Sequence, residues 1–568
     1  MSGIGIVTML SQLRGEYLCL ERRAKMKALS KEMLALIAEL YQKPAVHASL
    51  HETQQRRTDI LHTIAESASL LALPFLLPFA MRVDDPFGKL ARRAVQHSLQ
   101  RHGKQGLISL DQYIRRLTAY QHADKLGAWH ELSPASIEAF PIQDEADASF
   151  VGLCSFHRNG YVREAAVVRL AREASGAELP FLLLRLNDWQ PKIRFLAYKA
   201  LKQRLRSAYA PHFLESVCLV DHLVRYYHRE KFTDLVDGIF ALLQHPAQRA
   251  VLTGGFRSKD LHVRRFSFEL ALQAEGGEQE AVWRAAMAQS DAFIRQRIST
   301  LLVKNHLNVC LSDGLKLMRN DVFPPIRQLA LQTYVERYPE KAGEALTAAL
   351  LDPHKNIREL ARFYLKDQGV DFAACYREKC AGTDERQLLA AIAGVGETGD
   401  KADANRLLPF LADERTRVRR TTVKAIAMLD PEPYIELFFR SLQSEKRSES
   451  REARRVLGGM VDLRHSDKLW EIFTGEADTH VKKNILYLFT QFGKGDGILH
   501  VLRACATDEA EVRAEAIRHV QLWVDGCNKR FYVPFGAERR EQMEAVLAQV
   551  QAVLPAALAE ELRFLIRK

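Results

Sequence analysis

Guanidinium groups are the side chains of this sequence best suited to holding a ligand. Arg417, Arg419, Arg420 and Lys424 crowd one stretch, and Arg447, Arg451, Arg454 and Arg455 crowd the next; Arg264 and Arg265 make a smaller group. Clustered Arg pairs with carboxylates and phosphates, in bidentate fashion where geometry allows. The chain carries a formal net charge of +11, in keeping with an acidic or phosphate-bearing partner. Other reactive types are poorer candidates. His222 and His228 flank Tyr226 and Tyr227, with no acidic residue fixed by spacing as a partner for catalysis or metal binding. The eight cysteines are Cys19, Cys154, Cys218, Cys310, Cys375, Cys380, Cys505 and Cys527. They contain no CxxC pair, and Cys375 and Cys380 lack a second pair or nearby His at zinc spacing. Gly394, Gly396 and Gly399 follow an apolar helical run rather than a strand, so they read as a helix stop and turn and not as a phosphate loop. There is no GxSxG, P-loop or HExxH. These patterns predict no catalytic residue, no cofactor and no metal.

The elements that must carry the arginines repeat. About every 31 residues the sequence returns to Asp, a few residues, an apolar residue, Arg, then an apolar stripe at helical spacing. The copies are Asp188 with Arg194, Asp260 with Arg264, Asp291 with Arg295, Asp321 with Arg327, Asp352 with Arg358, Asp413 with Arg419, and Asp508 with Arg513. Arg163, Arg451 and Lys482 mark further copies, Arg386 fills the gap after Arg358, and a divergent copy is expected near 229–243. Three residues after the Arg come small side chains: Ala166, Ala197, Ser267, Ala330, Ala361, Thr422 and Ala516. Seven residues after it come Leu170, Leu201, Leu302, Leu365, Ile426, Phe489 and Val520, predicted to form the buried stripe. The fifth position is mixed (Lys199, Glu269, Gln332, Lys424, Arg518) and is predicted to face solvent. Two late copies depart from the pattern, with Arg454 and Ile485 where a small residue is expected.

An apolar helix precedes each motif helix, so each unit reads as a helix pair with Asp at the turn. The Asp would accept backbone N–H bonds at the next helix start, and the Arg would reach carboxylates in its own or neighbouring copies. The pattern predicts an all-α fold, an α-solenoid of stacked antiparallel helix pairs with helical N- and C-terminal caps. Its expected divisions are a cap or arm over 1–65, degenerate repeats over 66–148 with Lys89 at the Arg position and an irregular join over 132–150, the array over 149–525, and a cap over 526–568. The apolar run 70–81, broken by Pro74 and Pro78, is too short to span a bilayer and is expected to be a buried helix. No membrane insertion and a cytoplasmic location are expected.

The Asp…Val/Ile-Arg…Ala…Leu pattern resembles the HEAT repeats of the bacterial type, close to the short HEAT-like units of phycobilisome lyases, over about two-thirds of the chain. The resemblance implies an armadillo-like scaffold or adaptor that binds a protein partner on its concave face. It also admits a second reading, a nucleic-acid-binding solenoid. One such family, the alkylpurine DNA glycosylases, uses aromatic residues and an Asp in a basic cleft, and Asp188, Trp189, Arg194 and Lys199 can be set against that pattern. Asp188 and Arg194 already hold the repeat positions, and Trp189 is expected to pack between units. The candidate binding surface is Lys199, Arg265, Arg417, Arg420, Lys424, Arg447, Arg454, Arg455 and Arg518. The ladder of structural residues is Asp188, Arg194, Arg264, Asp291, Arg295, Asp321, Arg327, Asp352, Arg358, Asp413, Arg419 and Arg513.

Overall fold

Helix after helix, joined by short turns, makes up the computed structural model, which describes residues 29–42, 50–67, 69–117, 123–226, 232–273, 279–382, 384–475, 477–527, 530, 533 and 535–567. The chain forms two compact units, Met1–Leu311 and Ser312–Lys568. Each is all-α among the described residues, and each stacks helix pairs in the α-solenoid manner.

The second helix of each pair carries the motif. In the first unit these are α1 (Gly160–Ala171), α2 (Pro191–Lys202), α3 (Thr233–Gln244), α4 (Leu261–Gln273) and α5 (Ala292–Val303). In the second they are α6 (Pro324–Arg337), α7 (Lys355–Leu365), α8 (Glu385–Thr398), α9 (Thr416–Leu429), α10 (Arg447–Leu457), α11 (Thr479–Phe489) and α12 (Ala510–Gly526). Within a unit, successive motif helices lie side by side in one layer. The preceding helices, such as Leu179–Arg185, Ala342–Ala349 and Ile435–Leu442, each pack on their own motif helix.

The small-residue column explains how closely this layer packs. Ala166, Ala197, Ser267, Ala330, Ala361, Thr422 and Ala516 are all fully buried. The stripe four residues further on, from Leu170 to Val520, is buried as expected. At α8 glycine takes over this role. Gly394 and Gly396 lie inside the helix and do not end it; a Cβ on Gly394 would meet the Tyr376 ring at 2.4 Å, and one on Gly396 the Ala425 backbone at 2.7 Å. Only Gly399 stands at the helix end.

Residues 132–150 are not an irregular join: Ser133 caps Pro134–Ala139 and Asp144 caps Glu145–Cys154. Lys89 is exposed, and Arg92 three residues on is the buried cation of that segment, bonded through Nε to Asp147 at 2.6 Å and through Nη1 to the carbonyls of Ala80 and Arg82. Arg386 is exposed and fills no ladder position. The divergent copy is α3, seated between α2 and α4, with Asp234 accepting from Lys202 at 3.1 Å and from Tyr198; Arg229 lies outside the described residues. The run 70–81 is a 3-10 turn followed by a short helix, and its apolar side chains are mostly fully buried. No helix of the described residues is long and apolar enough to cross a membrane. Helices Ala537–Val550 and Ala556–Arg567, separated at Pro555, pack on the last repeat.

Candidate functional site

What the motif residues do locally decides which cations are left for a partner. In seven copies the motif Arg folds back on its own turn. Its Nη1 donates to the carbonyls six and five residues earlier: Arg163 to His157 and Arg158, Arg194 to Asp188 and Trp189, Arg264 to Ser258 and Lys259, Arg295 to Gln289 and Ser290, Arg327 to Asp321 and Val322, Arg358 to Asp352 and Pro353, and Arg419 to Asp413 and Glu414. The Asp completes the turn. Asp188, Asp260, Asp291, Asp321, Asp352 and Asp413 each accept the backbone N–H two residues on, at 2.7–3.1 Å. Turn carbonyls and helix-start N–H groups that would otherwise be orphaned are therefore satisfied by the motif itself.

In Arg163, Arg327, Arg358 and Arg419 the remaining face of the guanidinium reaches the next copy. Arg163 holds Asp188 by two bonds of 2.8 and 2.9 Å, and Arg327 holds Asp352 by two of 2.8 Å. Further along, the acid changes while the contact persists: Arg358 meets Glu397, Arg419 meets Glu449 at 2.9 Å, and Lys482 meets Glu509 at 2.5 Å. Asp413 instead pairs with Arg415 in its own turn, which draws its pKa down to about 2. At α4 the intercopy bond passes to the neighbouring residue. Arg265, expected on the binding surface, is partly buried and bonds Asp291 at 2.8 Å. Arg513 forms no side-chain hydrogen bond among the described residues.

Asp188 lies under three guanidiniums, those of Arg163, Arg185 and Arg115, and is wholly buried. Burial acts to raise its pKa, but Arg163 and Arg185 outweigh that and the net shift is downward. A carboxylate so held is a poor general base. Trp189 beside it is 63% exposed rather than packed between repeats. Of the paired histidines, His222 lies on helix Val217–Tyr226, while Tyr227 and His228 lie outside the described residues. No group of three His, Cys, Asp or Glu suited to a metal occurs among the described residues. Cys154, Cys218, Cys505 and Cys527 are buried free thiols, Cys310 is exposed, and Cys375 and Cys380 are half-buried; Cys19 lies outside the described residues.

The register of α10 differs from the sequence expectation. Ser450, not Arg451, takes the motif position: it is fully buried, and its hydroxyl donates to the Leu442 carbonyl at 2.5 Å. Ala453 then fills the small column and Leu457 the stripe, both fully buried. The shift turns Arg451 and Arg455 outward, to the first and fifth positions after the motif residue, where α9 carries Arg420 and Lys424. Lys199 on α2 is exposed at the same fifth position. Glu269 breaks the solvent-facing rule, being buried against Arg297 at 2.8 Å.

The result is a basic ridge across α9 and α10. Arg417, Arg420 and Lys424 follow one another at helical spacing, as do Arg447, Arg451 and Arg455, and all six are exposed. Arg455 pairs with Glu452 at 2.6 Å; the other five form no ion pair among the described residues. Arg454 leans over the Tyr487 ring of α11, 4.3 Å from its centroid. Burial, then the neighbouring charges of Arg451 and Arg455, lower its pKa. Beyond the ridge the charges are balanced: Lys483 meets Glu511, and Arg518 meets Glu515.

Sequence reasoning missed a second buried clamp. Arg204 bonds Glu178 at 2.7 Å and four carbonyls besides, while Glu178 also accepts from Tyr209 and the Gly176 N–H. Neither residue belongs to the motif, so periodicity gave no sign of it.

No family model and no curated protein matches the chain. Among solved structures it is similar to importin beta crystallised in ammonium sulfate, at 12% identity and a TM-score of 0.34 over 99% of this chain and 72% of that one. It is likewise similar to yeast importin-beta (Kap95p), at 12% identity and a TM-score of 0.30 over 94% of this chain and 66% of that one. A third is a Kap121p mutant, at 13% identity and a TM-score of 0.24 over 95% of this chain and 53% of that one. The chain thus spans between about half and three-quarters of the length of these helical proteins.

Proposed function

We propose that this chain is a non-catalytic, cytoplasmic HEAT-type scaffold or adaptor that binds a protein partner on the concave face of its repeat stack. One observation carries the reading. The recurring Arg and Asp are engaged in turns and intercopy bonds, whereas the first and fifth positions after the motif Arg mostly face solvent and change chemistry from copy to copy. The fifth position is Lys199 on α2, Phe363 on α7, Lys424 on α9, Arg455 on α10 and Arg518 on α12. A regular framework with a variable exposed column is how repeat stacks present a recognition surface. Such binding needs no cofactor.

Photo-crosslinking residues placed at 199, 363, 424 and 455 and expressed in the native cell test the proposal. The expected result is one protein species captured reproducibly from several of these positions and not from a control at the exposed turn residue Glu414. Recovery of the uncrosslinked chain alone from every position would refute it. A nucleic-acid partner is a second reading, favoured by the unpaired cations on α9 and α10.

A further inference from the structure

Six exposed cations on two adjacent helices, five of them without an ion pair among the described residues, form a surface only partly matched by acid: Glu452 pairs with Arg455, and the Glu511 carboxylate feels the charge of Arg447. Along α9, Arg417 to Lys424 covers about 10 Å at the helical rise. Neighbouring helix axes lie about 10 Å apart. An extended chain of six residues spans about 20 Å and so crosses the whole ridge. We propose that Arg417, Arg420, Lys424, Arg447, Arg451 and Arg455 dock an extended acidic segment of the protein partner, a run of roughly six to eight residues rich in Asp and Glu. This deepens the scaffold reading and rests on it.

Three features favour a peptide over a nucleic acid. Five of the six cations are arginines, whose planar fork takes a carboxylate by two parallel bonds. The positive stretch is short: over the next two motif helices Lys483 and Arg518 are matched by Glu511 and Glu515, so a long phosphate backbone would run onto paired charge. Base stacking has little to use, because the neighbouring exposed aromatic, Tyr487, is already covered by Arg454. The mutual repulsion that the ridge now carries would be relieved by a carboxylate placed between α9 and α10, which makes charge complementarity the source of affinity.

The test uses the full chain and fluorescence anisotropy. The probes are a labelled decapeptide of alternating Asp and Glu, its Asn/Gln counterpart, and a thymidine oligonucleotide of equal length, each at about 150 mM and 500 mM salt. The acidic peptide is expected to bind, more weakly at the higher salt, and the uncharged peptide is not. R420E/R451E is expected to weaken binding at least about tenfold, and R464E, an exposed cation in the Leu463–His465 turn outside both the ridge and the recognition column, to leave it within about twofold. Thermal melts check that both variants fold; if the double reversal does not, R420Q/K424Q replaces it with an expected loss of about three- to tenfold. Absence of peptide binding, equal binding by the ridge variants, or tighter binding of the oligonucleotide than of the peptide at about 150 mM salt would overturn the proposal, the last in favour of nucleic acid. The native-cell crosslinks separate the two levels. A partner still captured by a chain that ignores the peptide keeps the scaffold and removes the ridge; no partner captured removes the scaffold.

Discussion

Arg358 offers the most quantitative probe of the framework. It is 3% exposed and serves two copies at once: Nη1 donates to Asp352 and Pro353 carbonyls at 2.7 and 3.0 Å, while Nε and Nη2 meet Glu397. Arg358→Met keeps most of the apolar stem and removes every one of these bonds. Breaking a buried pair from one side typically costs about 3–5 kcal/mol, because the surviving charge is left unmatched. Here Glu397 keeps Arg362 at 2.9 Å, so the smaller range for lost bonds to a charged group applies, about 1.5–3 kcal/mol. Removing the acid as well should recover part of that cost. R358M/E397Q is therefore expected to be less destabilised than the sum of its single variants by about 1–2 kcal/mol. Urea unfolding followed by far-UV circular dichroism, with hydrogen exchange to localise the loss, reads both effects, since repeat stacks need not unfold in one step. An Arg358→Met variant within about 0.5 kcal/mol of the parent would refute the structural role assigned to this residue.

Two further outcomes follow from burial and exposure. Lys199→Ala should change stability by less than about 0.5 kcal/mol in the same urea experiment, since the side chain is exposed and forms no ion pair among the described residues; a loss as large as that of Arg358→Met would contradict the solvent-facing assignment. Acid should destabilise the protein through its buried histidines. His157 and His500 have pKa values lowered by burial to about 4, below the ordinary 6.5, so between these pH values the unfolded chain binds protons that the folded chain does not. Stability then falls as pH drops from about 6.5 towards 4, by about 3 kcal/mol per histidine at the lower end. His500→Phe, which keeps the stacking on Phe489 at 4.8 Å, should flatten part of that slope, and an unchanged slope would count against burial of a neutral imidazole there.

The sequence carried the framework wherever one residue type recurs at one offset. The Asp caps, the small column from Ala166 to Ala516 and the stripe from Leu170 to Val520 were legible because helix packing repeats the same steric demand in every copy. Carboxylate partners for Arg were legible in kind. The turn carbonyls that accept from Nη1 in seven copies were not, since backbone acceptors leave no mark on residue identity. Register failed at α10 because Arg447, Arg451, Arg454 and Arg455 supply four equivalent-looking anchors, while the true one is the small, hydrogen-bonded Ser450. That error concealed the alignment of Arg451 and Arg455 with Arg420 and Lys424, and so the ridge itself. Gly394 and Gly396 read as a helix stop because glycine breaks isolated helices; here the close approach of Tyr376 and Ala425 outweighs that propensity. Trp189 was expected inside because indoles usually are, and its exposure leaves an aromatic surface in the first unit to which no role is assigned.

The central claim is that the regularly spaced guanidiniums join one repeat to the next. Hydrogen exchange by mass spectrometry on Arg327→Ala tests it most directly, because Arg327 bonds its own turn at Asp321 and the following turn at Asp352. Faster exchange in both segments, 321–327 and 352–358, with the repeats near 480–520 unchanged, is the predicted result. Acceleration confined to 321–327, with the amides of 352–358 as protected as in the parent, would contradict it.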